Sequence, residues 1–126
     1  MERWTKSHCP VCYGLDLLGD KWTLLIVRDM LASQKRTYKE FLNSREGIAT
    51  NILADRLKRM VEHGLAVRED GPDGKGQVYL PTEKARALEP VLAAMMDWGM
   101  AYGPSTLRIP SEYSSRKTSH DSATRQ

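Results

Sequence analysis

The sequence predicts a mainly α-helical chain with one small β-hairpin, and three observations predict it. Between Ile48 and Gly64, Leu53, Leu57 and Met60 recur at helical spacing and the run closes on a glycine. Two strand-like runs follow, Leu65 to Asp70 and Gln77 to Leu80, separated by the glycine-broken turn Gly71-Pro72-Asp73-Gly74-Lys75-Gly76. Helical patterns lie on both sides of this unit. A helix that ends on glycine and runs into a hairpin with a basic tip is the sequence form of a helix-turn-helix carrying a wing. That arrangement points to DNA.

Taken in order, the first element opens at Cys9-Pro10-Val11-Cys12 and runs to Gly19, where Asp20 is placed to cap a second helix. The second helix is apolar nearly all round. Leu18, Trp22, Leu25, Ile26 and Met30 mark one side, with Leu24, Val27 and Leu31 on another, so it belongs at the centre of the domain. After the polar stretch Ser33 to Arg36, Thr37 with Glu40 three residues later forms a capping box. It opens the first helix of the helix-turn-helix pair, Asn43 to Gly47 is the turn, and Ile48 plugs the core. In the next helix the outward residues start short and hydrogen-bonding, Thr50 and Asn51, and become charged later at Asp55, Lys58, Arg59 and Glu62. This order suits base edges near the helix start and phosphates further along. An ordinary amphipathic helix would show the same stripe, and the attached hairpin is what favours the nucleic-acid reading.

Past the wing, Thr82 caps a short helix and Pro90 stands early in the next, where its missing amide costs nothing. Leu88, Val91, Leu92, Met95, Trp98, Gly99 and Tyr102 form a broad apolar stripe, widened by Met96 and Met100. One small domain cannot bury that much. A subunit interface is the favoured explanation, built from Leu15, Leu18, Met95, Trp98 and Tyr102, and a cofactor pocket is the alternative. From Gly103 the composition turns to Pro, Ser, Thr, Arg and Gln, so residues 103–126 are expected to be a disordered polar tail and residues 1–8 a flexible arm. The folded domain should span residues 9–102.

Composition narrows the function classes. A chain of 126 residues is one folding unit, and its formal charge of +3 fits a polyanionic partner without demanding one. No signal-like leader opens it and no apolar run is long enough to span a bilayer, so the expected location is the cytoplasm. Both cysteines sit in Cys9-Pro10-Val11-Cys12, which excludes a disulfide-stapled scaffold. A closed zinc site needs four ligands, and beyond this pair the chain offers only His8, His63 and His120. A thioredoxin-type site needs a βαβ frame that the pattern lacks. Two readings of the thiols stay open: an accessible thiol at a helix start, where the dipole favours the thiolate, or a small buried hydrophobe. No acid–base cluster and no phosphate-cradling loop stands out, so no catalytic residue, metal or cofactor is assigned.

The chain resembles the HxlR-type regulators, a branch of the MarR-like winged-helix transcription factors of bacteria. The resemblance is carried by Cys9-Pro10-Val11, the run Leu15 to Trp22, Leu24 to Asp29, Gly47-Ile48, Leu53 to Leu57 with Arg56, Gly64-Leu65, Tyr79, Thr82-Glu83, Leu88 to Leu92 and Trp98-Gly99. It covers about Cys9 to Tyr102 in register. It implies a homodimer that binds a palindromic operator, a recognition helix over Thr50 to His63, a wing over Gly71 to Val78, and Cys9 at the position that senses oxidants or electrophiles in several members. The chain also departs from the pattern. Ala49 stands where a capping serine is frequent, so either Thr50 takes over or the cap is lost. Pro81 ends the second wing strand, Ala85 replaces a common glycine, and Cys12 adds an intramolecular option.

The expectation is therefore a dimeric winged-helix regulator, a repressor in the favoured reading, with Thr50, Asn51, Asp55 and Lys58 toward the major groove and Arg59 beside them. Asp55 would either accept from a cytosine amino group or pair with Arg59 one turn later, the second being favoured. Arg56 would hold the helix or a phosphate. Lys75 would reach phosphate or minor groove from the wing, or else be a solvated loop charge. A small-molecule or oxidant effector remains open. The rivals from other classes are a thiol-based redox protein or small-molecule sensor using Cys9 and Cys12, and a protein-binding adaptor on the same scaffold.

Overall fold

A computed structural model describes residues 8–113. All but the last residue of the expected N-terminal arm, and the tail from residue 114 on, lie outside the described residues. The elements are α1 (Pro10–Leu18), α2 (Lys21–Ala32), α3 (Tyr38–Leu42), α4 (Thr50–Glu62), β1 (Ala66–Asp70), β2 (Gln77–Pro81), α5 (Glu83–Arg86) and α6 (Glu89–Tyr102). Asp20 caps α2 as expected, its carboxylate accepting from the Trp22 and Thr23 amides at 2.8 and 3.0 Å. Thr37 and Glu40 close the capping box of α3. Each satisfies amides that a helix start leaves without a partner.

The core lies between α2, α3, α4 and the base of the hairpin. Ile26, Val27 and Met30 of α2 meet Phe41 of α3 and Leu53, Leu57 and Met60 of α4, all buried. Helix α2 touches α1, α4, α6 and β2, which gives it the central place its all-round apolarity required. Ile48 fills the space beneath the α3–α4 turn. Helix α4 ends in a Schellman arrangement: Gly64 takes φ +76°, Leu65 N–H donates to Met60 O at 2.7 Å, and Gly64 N–H to Val61 O at 3.2 Å. Leu65 and Met60 are both buried, so the apolar contact that accompanies the motif is also in place.

Strands β1 and β2 pair antiparallel from Ala66 opposite Pro81 to Asp70 opposite Gln77. A bridge from Thr37 to Val78, with Tyr79 N–H donating to Arg36 O at 2.7 Å, ties the hairpin to the start of α3. This covers the far edge of β2, which a free hairpin would expose. Pro81 is buried at the last register position, and the next amide, Thr82 N–H, returns to Leu65 O at 3.3 Å. Ala85, which stands where a glycine was the common residue, is fully buried in the core.

One expectation needs correcting. Residues 103–113 are not an unstructured tail: the chain turns after α6 and brings Tyr113 back against α2, where it is buried. One aromatic with a polar partner was enough to anchor a stretch whose average composition is polar. Leu18, expected at the interface, is half-buried and packs against the core. Among the described residues, no helix is long and apolar enough to cross a membrane.

Candidate nucleic-acid interface

The exposed edge of α4 follows from its buried edge. With Leu53, Leu57 and Met60 turned inward, the helical period leaves Thr50, Asn51, Asp55 and Lys58 exposed on the opposite side and Arg59 half-buried at its margin. Ala49 occupies the N-cap position in extended conformation and gives no side-chain cap, so the cap is lost rather than taken over by Thr50. The amides of this first turn receive no oxygen from the N-cap side chain, and helix-start amides suit an anionic partner.

The helix is held from behind by four hydrogen bonds. Tyr38 Oη donates to Thr50 O at 2.9 Å, fixing the first turn to α3. Arg56 Nε donates to Asp20 Oδ1 at 3.1 Å, joining mid-helix to the cap of α2. Thr82 Oγ1 donates to Gly64 O at 2.6 Å, and Lys84 Nζ to His63 O at 2.8 Å, at its far end. Asp20 is thus shared between a cap and a bridge. Partial burial works against its charge, but the Thr23 hydroxyl and amide, the Arg56 guanidinium and the Trp22 amide outweigh it and hold the carboxyl at about 2.

Arg56 also donates to Asp55, so the partner of Asp55 is Arg56 and not Arg59 as the one-turn spacing suggested. Arg56 is already drawn toward Asp20, and that direction carries its second nitrogen past the neighbouring carboxylate. The pairing offsets the Asp55 charge on the exposed edge, which carries Glu62 further along. Lys58 makes no ion pair within 4 Å among the described residues.

At the wing tip, Gly74 and Gly76 take φ of +70° and +66°, conformations that glycine reaches without strain. Gly71 N–H donates to Gly76 O at 3.2 Å and closes the loop. Lys75 between them is exposed. The strands below it are not uniformly basic: Arg68, Glu69 and Asp70 are all exposed, and Gln77 Nε2 donates to Asp70 Oδ1 at 3.0 Å. Any phosphate contact from the wing therefore concentrates on Lys75 and Arg68.

Cys9 is the N-cap of α1 and Cys12 lies in its first turn; both are half-buried and neither is in a disulfide. The Cys12 and Val11 amides, with a smaller contribution from the Cys12 thiol, lower the Cys9 pKa against a slight desolvation. One turn on, Tyr13 receives Lys84 Nζ at 2.8 Å on its hydroxyl, the same ammonium that reaches the end of α4. Among the described residues, no three His, Cys, Asp or Glu side chains gather as metal ligands would.

The remaining candidate residues mark an apolar face. Leu15 on α1 and Met95, Trp98 and Tyr102 on α6 are exposed, Trp98 at 69%; Val91 shares the helical face of the α6 residues, while Val11 on α1 and Met100 on the other side of α6 are exposed as well. No residue of α6 is buried within the chain. The Trp98 and Tyr102 rings lie 5.6 Å apart at 42°.

Sequence reasoning passed over Tyr38, Lys84, and Arg28 with Glu46. Arg28 donates to both Glu46 oxygens at 2.8 and 2.9 Å and to buried Asp29, bracing the turn before α4 from α2. Their separations of 12, 21 and 18 residues from their partners leave no local signal.

Known proteins share this arrangement. The family described as HxlR-like helix-turn-helix matches residues 17–106. An HTH-type transcriptional regulator of Synechocystis, sll1512, is 35% identical over 96 residues, covering 75% of this chain and 70% of that protein. The crystal structure of the transcription factor PA1607 superposes with a TM-score of 0.75 at 41% identity, over 85% of this chain and 74% of that one. The redox regulator HypR in its reduced form gives a TM-score of 0.65 at 30% identity, over 74% of this chain and 92% of that one.

Proposed function

Since this chain belongs to the HxlR-like helix-turn-helix family of transcriptional regulators, we propose that it works as a cytoplasmic homodimer on a two-fold symmetric operator, repressing transcription without chemistry of its own. Helix α4 of each protomer enters the major groove, Thr50 and Asn51 read base edges, and Lys58, Arg59 and Lys75 meet phosphates. Asp55, balanced by Arg56, limits the choice of base rather than adding affinity. The observation that carries this reading is the division of α4 into a buried edge of Leu53, Leu57 and Met60 and an exposed edge that starts hydrogen-bonding and ends basic.

The apolar face of α1 and α6 supports the dimer. Large apolar side chains such as Leu15, Met95, Trp98 and Tyr102 left exposed are what a partner would cover, and a two-fold axis lets the same patch serve both protomers. Control by an oxidant or electrophile at Cys9 is supported by its lowered pKa and by the likeness to HypR, a redox regulator. Selection of duplexes from a random-sequence library tests the proposal. The enriched site should be an inverted repeat with half-site centres about 34 Å apart, one helical turn. Enrichment of no sequence, or of a single unrepeated half-site, would contradict it.

A further inference from the structure

The family match stops at residue 106, and the chain beyond it returns to the helix-turn-helix. Leu107 N–H donates to Pro104 O and Tyr113 N–H to Pro110 O, turns that carry the segment from the end of α6 to the side of α2. There Tyr113 is 5% exposed. Its hydroxyl donates to Asp29 Oδ1 at 3.2 Å, and its ring lies 5.1 Å from the Arg28 guanidinium carbon. Beside it, Glu112 faces Arg45 at 3.8 Å. Two consecutive residues of the segment thus engage two consecutive residues of the α3–α4 turn: Glu112 directly at Arg45, and Tyr113 through Arg28 at Glu46.

That turn matters because α4 begins without a side-chain cap. What fixes its first residues is the packing of Ile48, the Tyr38 bond to Thr50 O, and the two-pronged hold of Arg28 on Glu46. Arg28 is a long side chain whose hold is only as firm as its own setting. Asp29 accepts from it on one side, and the Tyr113 ring lies over the guanidinium on the other. Asp29 is itself 2% exposed and shared with Lys35 at 3.4 Å, so loss of the tyrosine hydroxyl removes one of its few donors.

We infer that Tyr113 is a positioning residue for DNA reading, which by completing the Arg28, Asp29 and Glu46 network sets the start of α4 and hence the aim of Thr50 and Asn51. Discrimination between sequences depends on that aim, whereas phosphate contacts by Lys58 and Lys75 tolerate a small shift. This inference rests on α4 being the recognition helix. Tyr113 itself lies outside the family match.

The test uses the full chain with Tyr113→Ala and Tyr113→Phe, each below its melting temperature. The probes are a duplex selected from a random library by the parent protein and a shuffled duplex of the same composition, at one salt concentration. Tyr113→Ala should lower the ratio of the two affinities about tenfold, the loss expected when one base contact is misaligned, and leave the shuffled duplex within about twofold. Tyr113→Phe keeps the ring over Arg28 and should fall between. A lowered melting temperature with an unchanged ratio, or an equal loss on both duplexes, would overturn the inference. Amide hydrogen exchange at residues 48–51 gives a readout that needs no DNA: it should quicken in Tyr113→Ala and, less so, in Tyr113→Phe, and unchanged exchange there overturns the inference as well. If Tyr113→Ala does not fold, Tyr113→Phe and Glu46→Gln carry both measurements. If the parent selects no duplex, the recognition-helix reading has failed, and exchange alone decides whether Tyr113 holds the helix start.

Discussion

Replacing Trp98 by alanine should separate the dimer without unfolding the protomer. A tryptophan side chain buries on the order of 150–250 Å² when fully covered, and Trp98 is 69% exposed in the single chain, so most of that area awaits a partner. Covering roughly 100–170 Å² at about 25 cal/mol/Å² is worth roughly 2.5–4 kcal/mol. A two-fold interface holds the residue twice, while ordering and imperfect fit offset part of the gain. A net loss of about 2–4 kcal/mol raises the dimer dissociation constant from roughly 30-fold to several hundredfold. Sedimentation equilibrium from nanomolar to micromolar concentration measures this directly. The parent should be a dimer at micromolar concentration and the variant largely a monomer, with the same far-ultraviolet circular dichroism, because α6 contributes no buried residue to its own chain. A parent that stays monomeric, or a variant that dimerises as tightly as the parent, would refute the assignment of this face.

Asp20→Ala should cost about 1 kcal/mol or more of stability near neutral pH, since it removes the α2 cap and the partner of Arg56. Because the folded carboxyl titrates at about 2, below its ordinary 3.8, that contribution is present above about pH 4 and fades as pH falls toward 2. Urea unfolding of both proteins from pH 6 to pH 2 checks this, and a difference that stays constant to pH 2 speaks against it. Mild peroxide should weaken operator binding by the parent and spare Cys9→Ser. Two thiols then give up two electrons and two protons to peroxide, which leaves as water, and a non-reducing gel shows whether the bond joins two subunits through Cys9 or joins Cys9 to Cys12. Equal affinity of reduced, oxidised and Cys9→Ser protein would make the thiols structural.

Local grammar was legible because its signals lie within a few residues of one another. The Asp20 cap, the Thr37 and Glu40 capping box, the glycine end of α4 and its buried stripe all sit inside one or two turns. The exposed edge of α4 follows from the same period. What the sequence hid were pairings between distant segments. Tyr113 meets Asp29 across 84 residues and Lys84 meets Tyr13 across 71, and no periodicity encodes such contacts. Asp55 shows how a local rule fails: spacing favoured Arg59, but Arg56, pulled toward Asp20 from another helix, was nearer. Composition misled at residues 103–113, where averaging over polar residues concealed one anchoring tyrosine.

The central claim is that the exposed edge of α4 reads DNA, with base selection at its start and phosphate contact further along. Titration of a selected duplex and a shuffled one across a series of salt concentrations, for the parent, Asn51→Ala and Lys58→Ala, tests it most directly. Asn51→Ala should bring the two affinities together by roughly 5- to 150-fold, the worth of about 1–3 kcal/mol at one base contact. Lys58→Ala should weaken both duplexes alike and reduce the salt slope by about 1. Selected-duplex binding by both variants equal to the parent's, in strength and in salt slope, would contradict the account.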